Sequence, residues 1–202
     1  MIITGNALDL LRRIALARST DPRKPNLSSV AVQPAPDGRV SIVACDGFIL
    51  AAATLDLGDV GDLPPDGAMI PDALVKVILR KAKPATAVTF QGGAWSVASP
   101  LGIMSAPATS GSYPQWRKVL PAAASVTAPT GAMPLLPVER LATLTAILSA
   151  DPRYPRCLPS VACQAGGQYI VEDDGIICAV MANGDAEDAH ALSRTLDTLC
   201  GL

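Results

Sequence analysis

Aromatic side chains and histidine are scarce in this sequence. Its 202 residues include two Phe, two Trp, three Tyr and one His, although half of them are hydrophobic. A buried core therefore has to be assembled mainly from Ala, Val, Leu and Ile. The lone histidine, His190, belongs to no Cys/His cluster with metal-ligand spacing. No phosphate loop, Ser/His/Asp set or dinucleotide fingerprint is present either, so we predict neither an enzyme nor a site for a metal or cofactor.

Long apolar runs and paired cysteines are also missing. No segment approaches the ~18 uninterrupted apolar residues of a membrane span, and the N-terminus has no basic start followed by an apolar stretch. The five cysteines are odd in number and show no Cys-x-x-Cys spacing, which favours buried thiols in a reducing compartment. We therefore expect a cytoplasmic protein without a membrane partner. The net charge of −2 gives no overall basic surface, so the placement of individual charges matters more than their sum.

The sequence does contain an internal repeat. Residues 21–33 (DPRKPNLSSVAVQ) align with residues 151–164 (DPRYPRCLPSVACQ) once one insertion is allowed. Each copy follows a helical pattern and precedes an Asp-Gly pair inside an apolar run, at Asp46-Gly47 and at Asp174-Gly175. The same order of elements occurring twice predicts the duplication of one folding unit. We place the boundary at residue 121, giving a first unit of 1–121 and a shortened second unit of 122–202.

Hydrophobic periodicity and turn residues predict short helices and strands in alternation. Asn6 is expected to cap a helix that runs to Arg18, and Asp72 to open a helix that ends before Pro84. Two further helices are predicted at 137–150 and 186–199. Strands are predicted at 2–3, 27–33, 40–53 with a break at the Asp-Gly pair, 87–91, 94–98, 103–106, 125–128, 158–164, 168–171 and 176–181. The fold class is therefore α+β, with helices packed on antiparallel sheets.

Five motifs of the first unit, in order along the chain, resemble the middle domain of the bacterial DNA sliding clamp, the beta subunit of DNA polymerase III. They are a helix at 8–18, a strand at 27–32, the element 45–50 (CDGFIL), Ile70-Pro71, and the segment 113–121 (YPQWRKVLP). The second unit resembles a further clamp domain only through the repeat, and it lacks the trailing strands of such a domain. The resemblance implies two sliding-clamp-type (DNA clamp) units, the second truncated, where the bacterial clamp has three.

The resemblance also implies two functional surfaces. Clamp helices line a channel for duplex DNA, so the cations on the first two long helices are the implied phosphate contacts: Arg12, Arg13, Arg18, Lys76, Arg80 and Lys83. The last three fall at i, i+4 and i+7, which predicts one stripe along the helix, with an ordinary solvated face as the alternative. A pocket for partner peptides is implied at five apolar positions whose character fits a core equally well: Leu27, Phe48, Ile49, Leu50 and Pro121.

The function implied by the resemblance is that of a replication processivity and docking factor. It would encircle or flank duplex DNA without reading its sequence and would tether a DNA polymerase or other proteins that carry clamp-binding peptides. The alternative is a clamp-derived, protein-binding adaptor or regulator that never encircles DNA, which the truncated second unit and the acidic last helix favour. A ring around DNA needs about six such units, so a homo-oligomer is expected, with a trimer slightly ahead of a dimer or a monomer.

Overall fold

The computed structural model describes residues 1–120 except positions 36, 59 and 119, helix residues 138–148, and residues 161–164, 168–173 and 175–181. Four α-helices lie in this part of the chain: α1 (Gly5–Ile14), α2 (Pro25–Ser28), α3 (Asp72–Ile78) and α4 (Val138–Leu148). Short 3₁₀ turns follow α1 at Ala15–Ala17 and occupy Trp116–Lys118. None of these helices is long and apolar enough to span a membrane.

The strands form two antiparallel sheets. One has four strands in the order β1-β6-β7-β8, formed by Ile2–Ile3 (β1), Ala87–Gln91 (β6), Ala94–Ser99 (β7) and Gly102–Pro107 (β8). The other has seven strands in the order β5-β2-β3-β4-β11-β10-β9. Its members are Val30–Pro34 (β2), Val40–Cys45 (β3), Ile49–Leu55 (β4), Ala68–Ile70 (β5), Val161–Gln164 (β9), Gln168–Asp173 (β10) and Ile176–Met181 (β11). The predicted mixture of helices and antiparallel sheets is confirmed.

The seven-stranded sheet is apolar on both faces because successive side chains of each strand enter two different cores. In β4, Ile49, Ala51 and Ala53 belong to the main core, which fills the space between the two sheets and the helices, whereas Leu50 and Ala52 belong to a second cluster on the opposite face. The other long strands follow the same rule. Sequence runs such as ILAAA are therefore continuous rather than alternating, because both faces of the sheet are covered.

Helix α1 forms because its apolar residues recur at helical spacing. Leu8, Leu11 and Ile14 are buried on one face, while the charged residues point away from the main core. The predicted cap at Asn6 is wrong by two positions. The extended residue before the helix is Thr4, and Gly5 takes the first helical position. The Thr4 side chain makes no capping hydrogen bond, so apolar packing rather than the cap fixes the start of the helix.

The predicted helix over 72–83 is too long. Helix α3 ends at Ile78, its last fully buried residue, and Arg80 and Lys83 lie in the turn that follows. Lys83 has a positive φ of 54°, directly before Pro84, whose ring disfavours the α conformation at the preceding residue. The three cations Lys76, Arg80 and Lys83 therefore do not form a helical stripe.

Two smaller corrections concern the segment before β2 and the segment before α3. Leu27 was expected in a strand but lies in the one-turn helix α2, where Pro25 takes a first-turn position and its carbonyl accepts bonds from the Ser28 and Ser29 hydroxyls at 3.2 and 2.8 Å. The three-residue strand β5 was not predicted. The predicted elements at 125–128 and 186–199 lie outside the described residues, and so do residues 151–160 of the second repeat copy.

The two halves of the chain meet along β4 and β11. These strands pair antiparallel from Ile49↔Val180 to Ala53↔Ile176, so the order β2-β3-β4 continues as β11-β10-β9. The described ends of the two repeat copies, in β2 and in β9, thus each lie in the third strand from the join. Helix α4 is tied to α1 by Arg13, which donates from Nε to the Ile147 carbonyl at 2.7 Å and from a terminal nitrogen to the Leu148 carbonyl at 2.9 Å.

We expect Arg13→Ala to destabilise the protein by about 1–3 kcal/mol, because the substitution leaves carbonyls at the end of α4 without their charged donor. Urea unfolding followed by circular dichroism measures the change. The matched control is Arg39→Ala, since Arg39 is an exposed arginine whose partner, Asp37, lies two residues away. An equal shift of both midpoints would contradict the assigned role of Arg13.

A second stability prediction concerns Gly67, which leads into β5. It has a φ of +83°, and an added Cβ would overlap the Val32 carbonyl oxygen and lie 2.9 Å from the Gln33 Cα. Gly38 has nearly the same φ, +81°, with nothing within 4 Å of its Cβ position. Gly38→Ala should therefore cost about 1–2 kcal/mol from backbone strain alone, and Gly67→Ala should cost at least about 1 kcal/mol more from the overlap. Equal unfolding free energies for the two variants would contradict this reading.

Candidate protein-docking face and cationic surface

An apolar layer covers the face of the seven-stranded sheet that is turned away from the helices. We call it the outer cluster. It contains Leu50 of β4 together with Tyr113 and Trp116 from the segment after β8. Its buried members are Ala31, Val43, Leu50, Ala52, Met69, Tyr113, Trp116 and Ala179, with Cys45, Leu120 and Ile170 packed against them. Because Ile170 and Ala179 come from β10 and β11, the outer cluster extends across the join between the two halves.

Residues 113–118 cross this face and are fixed to it by polar contacts. The indole N–H of Trp116 donates to the Gln33 side-chain oxygen at 2.8 Å. Arg117 donates to the same oxygen at 3.3 Å and to the Ser41 hydroxyl at 3.2 Å, and its guanidinium carbon lies 4.4 Å from the centre of the Trp116 ring. The segment is therefore held against β2 and β3 by polar contacts to Gln33 and Ser41.

Burial controls the ionisable groups of this region. Burial raises the pKa of the Tyr113 phenol, and the charge of the nearby Cys45 raises that pKa further. The Tyr113 hydroxyl has no hydrogen-bond partner among the described residues. Burial likewise raises the pKa of the Cys45 thiol and raises the pKa of Cys178 to about 12. These groups stay protonated at neutral pH, which makes them poor nucleophiles and poor metal ligands. The described residues contain no group of three or more His, Cys, Asp or Glu side chains that could hold a metal ion.

An open cleft of about 490 Å³ lies next to the outer cluster, along β2 and β5. It shares Ala31, Met69 and Tyr113 with the cluster. Its other walls come from the Pro64–Gly67 turn, the residues after β8, and the side chains of Gln33 and Arg117. The sequence analysis missed this cleft, although the Pro-Pro-Asp-Gly turn at 64–67, which forms one of its walls, is visible in the sequence.

The structure places the predicted pocket residues in different environments. Leu50 lies in the outer cluster, against which Leu120 also packs, and Pro121 lies outside the described residues. Ile49 points to the other side of the sheet and belongs to the main core. Leu27 is half-buried in α2. Of the predicted pocket residues, Leu50 is the one that the described structure places in the outer cluster.

Phe48 lies at the join between the two halves. It follows the Asp46-Gly47 turn, in which the Asp46 carboxylate accepts the Phe48 and Ile49 amides at 2.7 Å each. The Phe48 side chain is 47% exposed, and the guanidinium carbon of Arg140, from α4, lies 3.8 Å from the centre of its ring. Phe48 is therefore an accessible aromatic side chain held by a cation–π contact.

The predicted DNA contacts on α1 are largely engaged within the protein. Arg12 bonds to the Asp9 carboxylate and to the Ala85 carbonyl. Arg13 is directed toward the end of α4, as described above. Arg18 lies 3.4 Å from the Asp72 carboxylate and donates to the Ala15 carbonyl, and its side chain is mostly buried. These contacts join α1 to both ends of the segment that contains α3.

The cations of α3 and its following turn are more accessible. Lys76 lies 2.6 Å from Asp72, which Arg18 also approaches, so this carboxylate offsets two positive charges. Arg80 and Lys83 are exposed, and no ion pair joins either of them to another described residue. Lys81, which the sequence analysis did not single out, is exposed beside them. The free positive charge of this surface is thus concentrated at 80–83, next to Ala85 and Arg12.

Comparison of whole structures identifies the fold. The chain superposes on the DNA polymerase III subunit beta of Borrelia burgdorferi over 92% of its own length and 62% of that chain, with a TM-score of 0.69 and 10% identity. It also superposes on the Bartonella birtlesii sliding clamp (89% and 64%, TM-score 0.64, 12% identity). The Helicobacter pylori beta clamp bound to a DNA ligase peptide gives 91% and 64%, a TM-score of 0.64 and 12% identity.

The chain spans less than two thirds of the length of these clamps. No protein-family model and no curated protein sequence matches it. At this level of identity the likeness concerns the fold. Helices on antiparallel sheets, arranged as in DNA polymerase III beta subunits over about nine tenths of the chain, give this protein a sliding-clamp fold.

Proposed function

We propose that this protein is a non-enzymatic, sliding-clamp-like docking factor of the cytoplasm. It contacts duplex DNA without reading its sequence, and it tethers proteins that carry short hydrophobic clamp-binding peptides. The observation that carries the proposal is the clamp fold over about 90% of the chain, together with an apolar outer face built at the join of the two halves. Tethering needs no chemistry, because holding a partner near its site raises its effective concentration.

The docking half of the proposal rests on the environment of Leu50 and Phe48. Leu50 belongs to one cluster with Tyr113 and Trp116, of which Trp116 is held by a hydrogen bond to Gln33. Phe48, two residues before Leu50, has an exposed ring. Aromatic anchors beside an ordered apolar face are typical centres of protein recognition. The Helicobacter pylori clamp, which has the same fold, was solved with a DNA ligase peptide bound, which supports a peptide as the ligand class.

The DNA half of the proposal rests on Arg80, Lys81 and Lys83. Exposed cations without acidic partners neutralise phosphates at little cost, because no existing ion pair has to be broken. Lys76 and Arg18 contribute less, since both lie against Asp72. A backbone-directed contact of this kind carries no base information, which agrees with a factor that moves along duplex DNA.

The adaptor that binds proteins and never encircles DNA is the second candidate. The observation that favours it is the pairing of helix cations with Asp9 and Asp72, which leaves α1 and α3 with little free charge. A single measurement, duplex binding as a function of salt concentration, distinguishes the two functions. A docking factor on DNA shows salt-dependent duplex binding, whereas an adaptor binds peptide but not DNA.

Replacing Arg80 and Lys83 together by Ala should weaken duplex binding and reduce the slope of log affinity against log salt by about 0.9 for each lost phosphate contact. Lys76→Ala should change the slope less, because its ammonium group is already paired. Fluorescence anisotropy with two labelled duplexes of unrelated sequence, each measured over a salt series, gives the slopes.

Arg39→Ala is the control for charge loss, since Arg39 lies in the β2–β3 turn and is paired with Asp37. It should leave the slope unchanged. An unchanged slope in the Arg80/Lys83 double variant would remove these residues from the DNA surface. Absence of wild-type binding at low salt would leave the adaptor as the function.

Phe48→Ala should reduce the affinity for a clamp-binding peptide by about 1–3 kcal/mol if Phe48 anchors the peptide. Isothermal titration with the peptide of a polymerase-type partner measures the loss. Leu101→Ala, which truncates an exposed apolar side chain in the β7–β8 turn, is the matched control. Thermal unfolding of each variant shows whether losing the contact between Phe48 and Arg140 has destabilised the protein, apart from any loss of peptide binding. Failure of the wild type to bind at millimolar peptide would refute the docking half.

A further inference from the structure

The open cleft along β2 and β5 contains one arginine that no carboxylate of the described residues pairs with. Among the described residues that line the cleft, Arg117 and Asp66 are charged and the others are neutral. Arg117 forms no ion pair with another described residue. An anionic group that enters the cleft can therefore bind this guanidinium without first breaking an existing ion pair.

The Arg117 guanidinium is held in place by neutral groups. It donates to the Gln33 side-chain oxygen at 3.3 Å and to the Ser41 hydroxyl at 3.2 Å, and it lies over the Trp116 ring. A guanidinium has more N–H donors than these two bonds use, and its planar fork matches a carboxylate. Because the side chain is already ordered, a ligand that binds it loses little further side-chain entropy.

The shape of the cleft favours a segment of a partner protein over a small molecule. A small-molecule site usually buries most of the surface of its ligand, whereas this cleft is open and continuous with the outer cluster through Ala31, Met69 and Tyr113. A peptide on the outer cluster can therefore extend into the cleft. Its apolar groups would meet Met69, and its charged groups would meet Arg117.

The second charge of the cleft restricts that peptide further. Asp66 lies in the turn at 64–67, and its main-chain carbonyl accepts from the Gln33 amide at 3.5 Å. The other end of the same amide group accepts from Arg117, so Gln33 lies between the two charged residues. A single acidic side chain at Arg117 is favourable, but a run of acidic residues would be repelled by Asp66.

Arg117 and the exposed ring of Phe48 are associated with opposite ends of β3. Arg117 contacts Ser41, near the start of this strand, and Phe48 follows the turn at its end. At about 3.3 Å per residue, the strand and its turn separate the two sites by roughly 15–20 Å, which an extended peptide covers in about five or six residues. The distance between the two sites thus predicts a spacing in the partner.

We propose that the cleft is a second subsite for the partner peptide, at which Arg117 binds one acidic side chain about five residues from the hydrophobic anchor that contacts Phe48. The inference rests on the peptide docking proposed above and adds a charge requirement to it. A hydrophobic anchor alone allows the peptide to lie in either direction. A charge at one end fixes the direction, because electrostatic complementarity contributes mainly to specificity and register.

Isothermal titration at physiological salt with three peptides that share one hydrophobic segment tests this requirement. The first carries Glu five residues from the anchor, the second carries Gln at that position, and the third carries Glu two residues from the anchor. The wild type should bind the first about three to ten times more tightly than the others, which is the effect of one accessible, charge-assisted contact. The third peptide gains nothing because its Glu does not reach Arg117.

Arg117→Glu should reverse the preference, so that the Gln peptide binds more tightly than the first peptide, because like charges then face each other. Lys118→Glu is the matched control. It makes the same change in net charge one residue away, and Lys118 is exposed and does not line the cleft. This variant should keep the wild-type preference. Circular dichroism establishes that both variants are folded, and the wild-type comparison of peptides does not depend on either variant.

The outcomes separate this subsite from the docking function on which it rests. Equal wild-type affinities for all three peptides would overturn the subsite and leave peptide docking intact. Equal loss of the preference in Arg117→Glu and Lys118→Glu would also overturn it, since a general effect of net charge would then explain the result. If none of the peptides bound the wild type at millimolar concentration, peptide docking and the subsite would both be refuted.

Discussion

The antiparallel pairing of β4 with β11 is the interaction on which the rest of the structure depends. It joins four strands of the first half and three of the second into one sheet, whose inner face lies in the main core and whose outer face bears the outer cluster. Because side chains alternate along each strand, the same register that buries Ile49 and Cys178 on one side sets Leu50 and Ala179 on the other. The core and the candidate docking face are therefore fixed by a single set of backbone bonds.

Two arginines stabilise this join from the helix side. Arg13 holds the end of α4 beside α1, and Arg140 returns from α4 to the ring of Phe48 at the β3–β4 turn. The helices are thus connected to the hairpin beside the docking face. The same engagement explains why α1 presents few free cations. Arg13 bonds to the end of α4, whereas Arg12 and Arg18 bond to the segment around α3. Arg80, Lys81 and Lys83, in the turn after α3, remain exposed.

Local patterns predicted much of this fold, and long-range contacts account for most of what they missed. The Asp46-Gly47 hairpin and the β6–β8 meander follow from turn chemistry and alternation, and they were found correctly. The end of α3 was missed because the helix stops where burial stops, at Ile78, and not where Pro84 forbids it. Strand β5 was missed because three residues carry too little periodicity. The apolar character of Ile49 and Leu50 did not reveal that they enter different cores, since that depends on which face of β4 each side chain lies on.

The pairing of β4 with β11 also has a consequence for folding during synthesis. Strand β4 ends at residue 55 and β11 begins at residue 176, so a ribosome finishes one long before it begins the other. At about 5–20 residues per second, the interval is roughly ten seconds. Throughout that interval the newly made β4 presents an unpaired edge with apolar side chains on both faces, which is a state prone to mispairing with other nascent chains. The β4 edge is therefore the part of the nascent chain on which a chaperone would act during this interval.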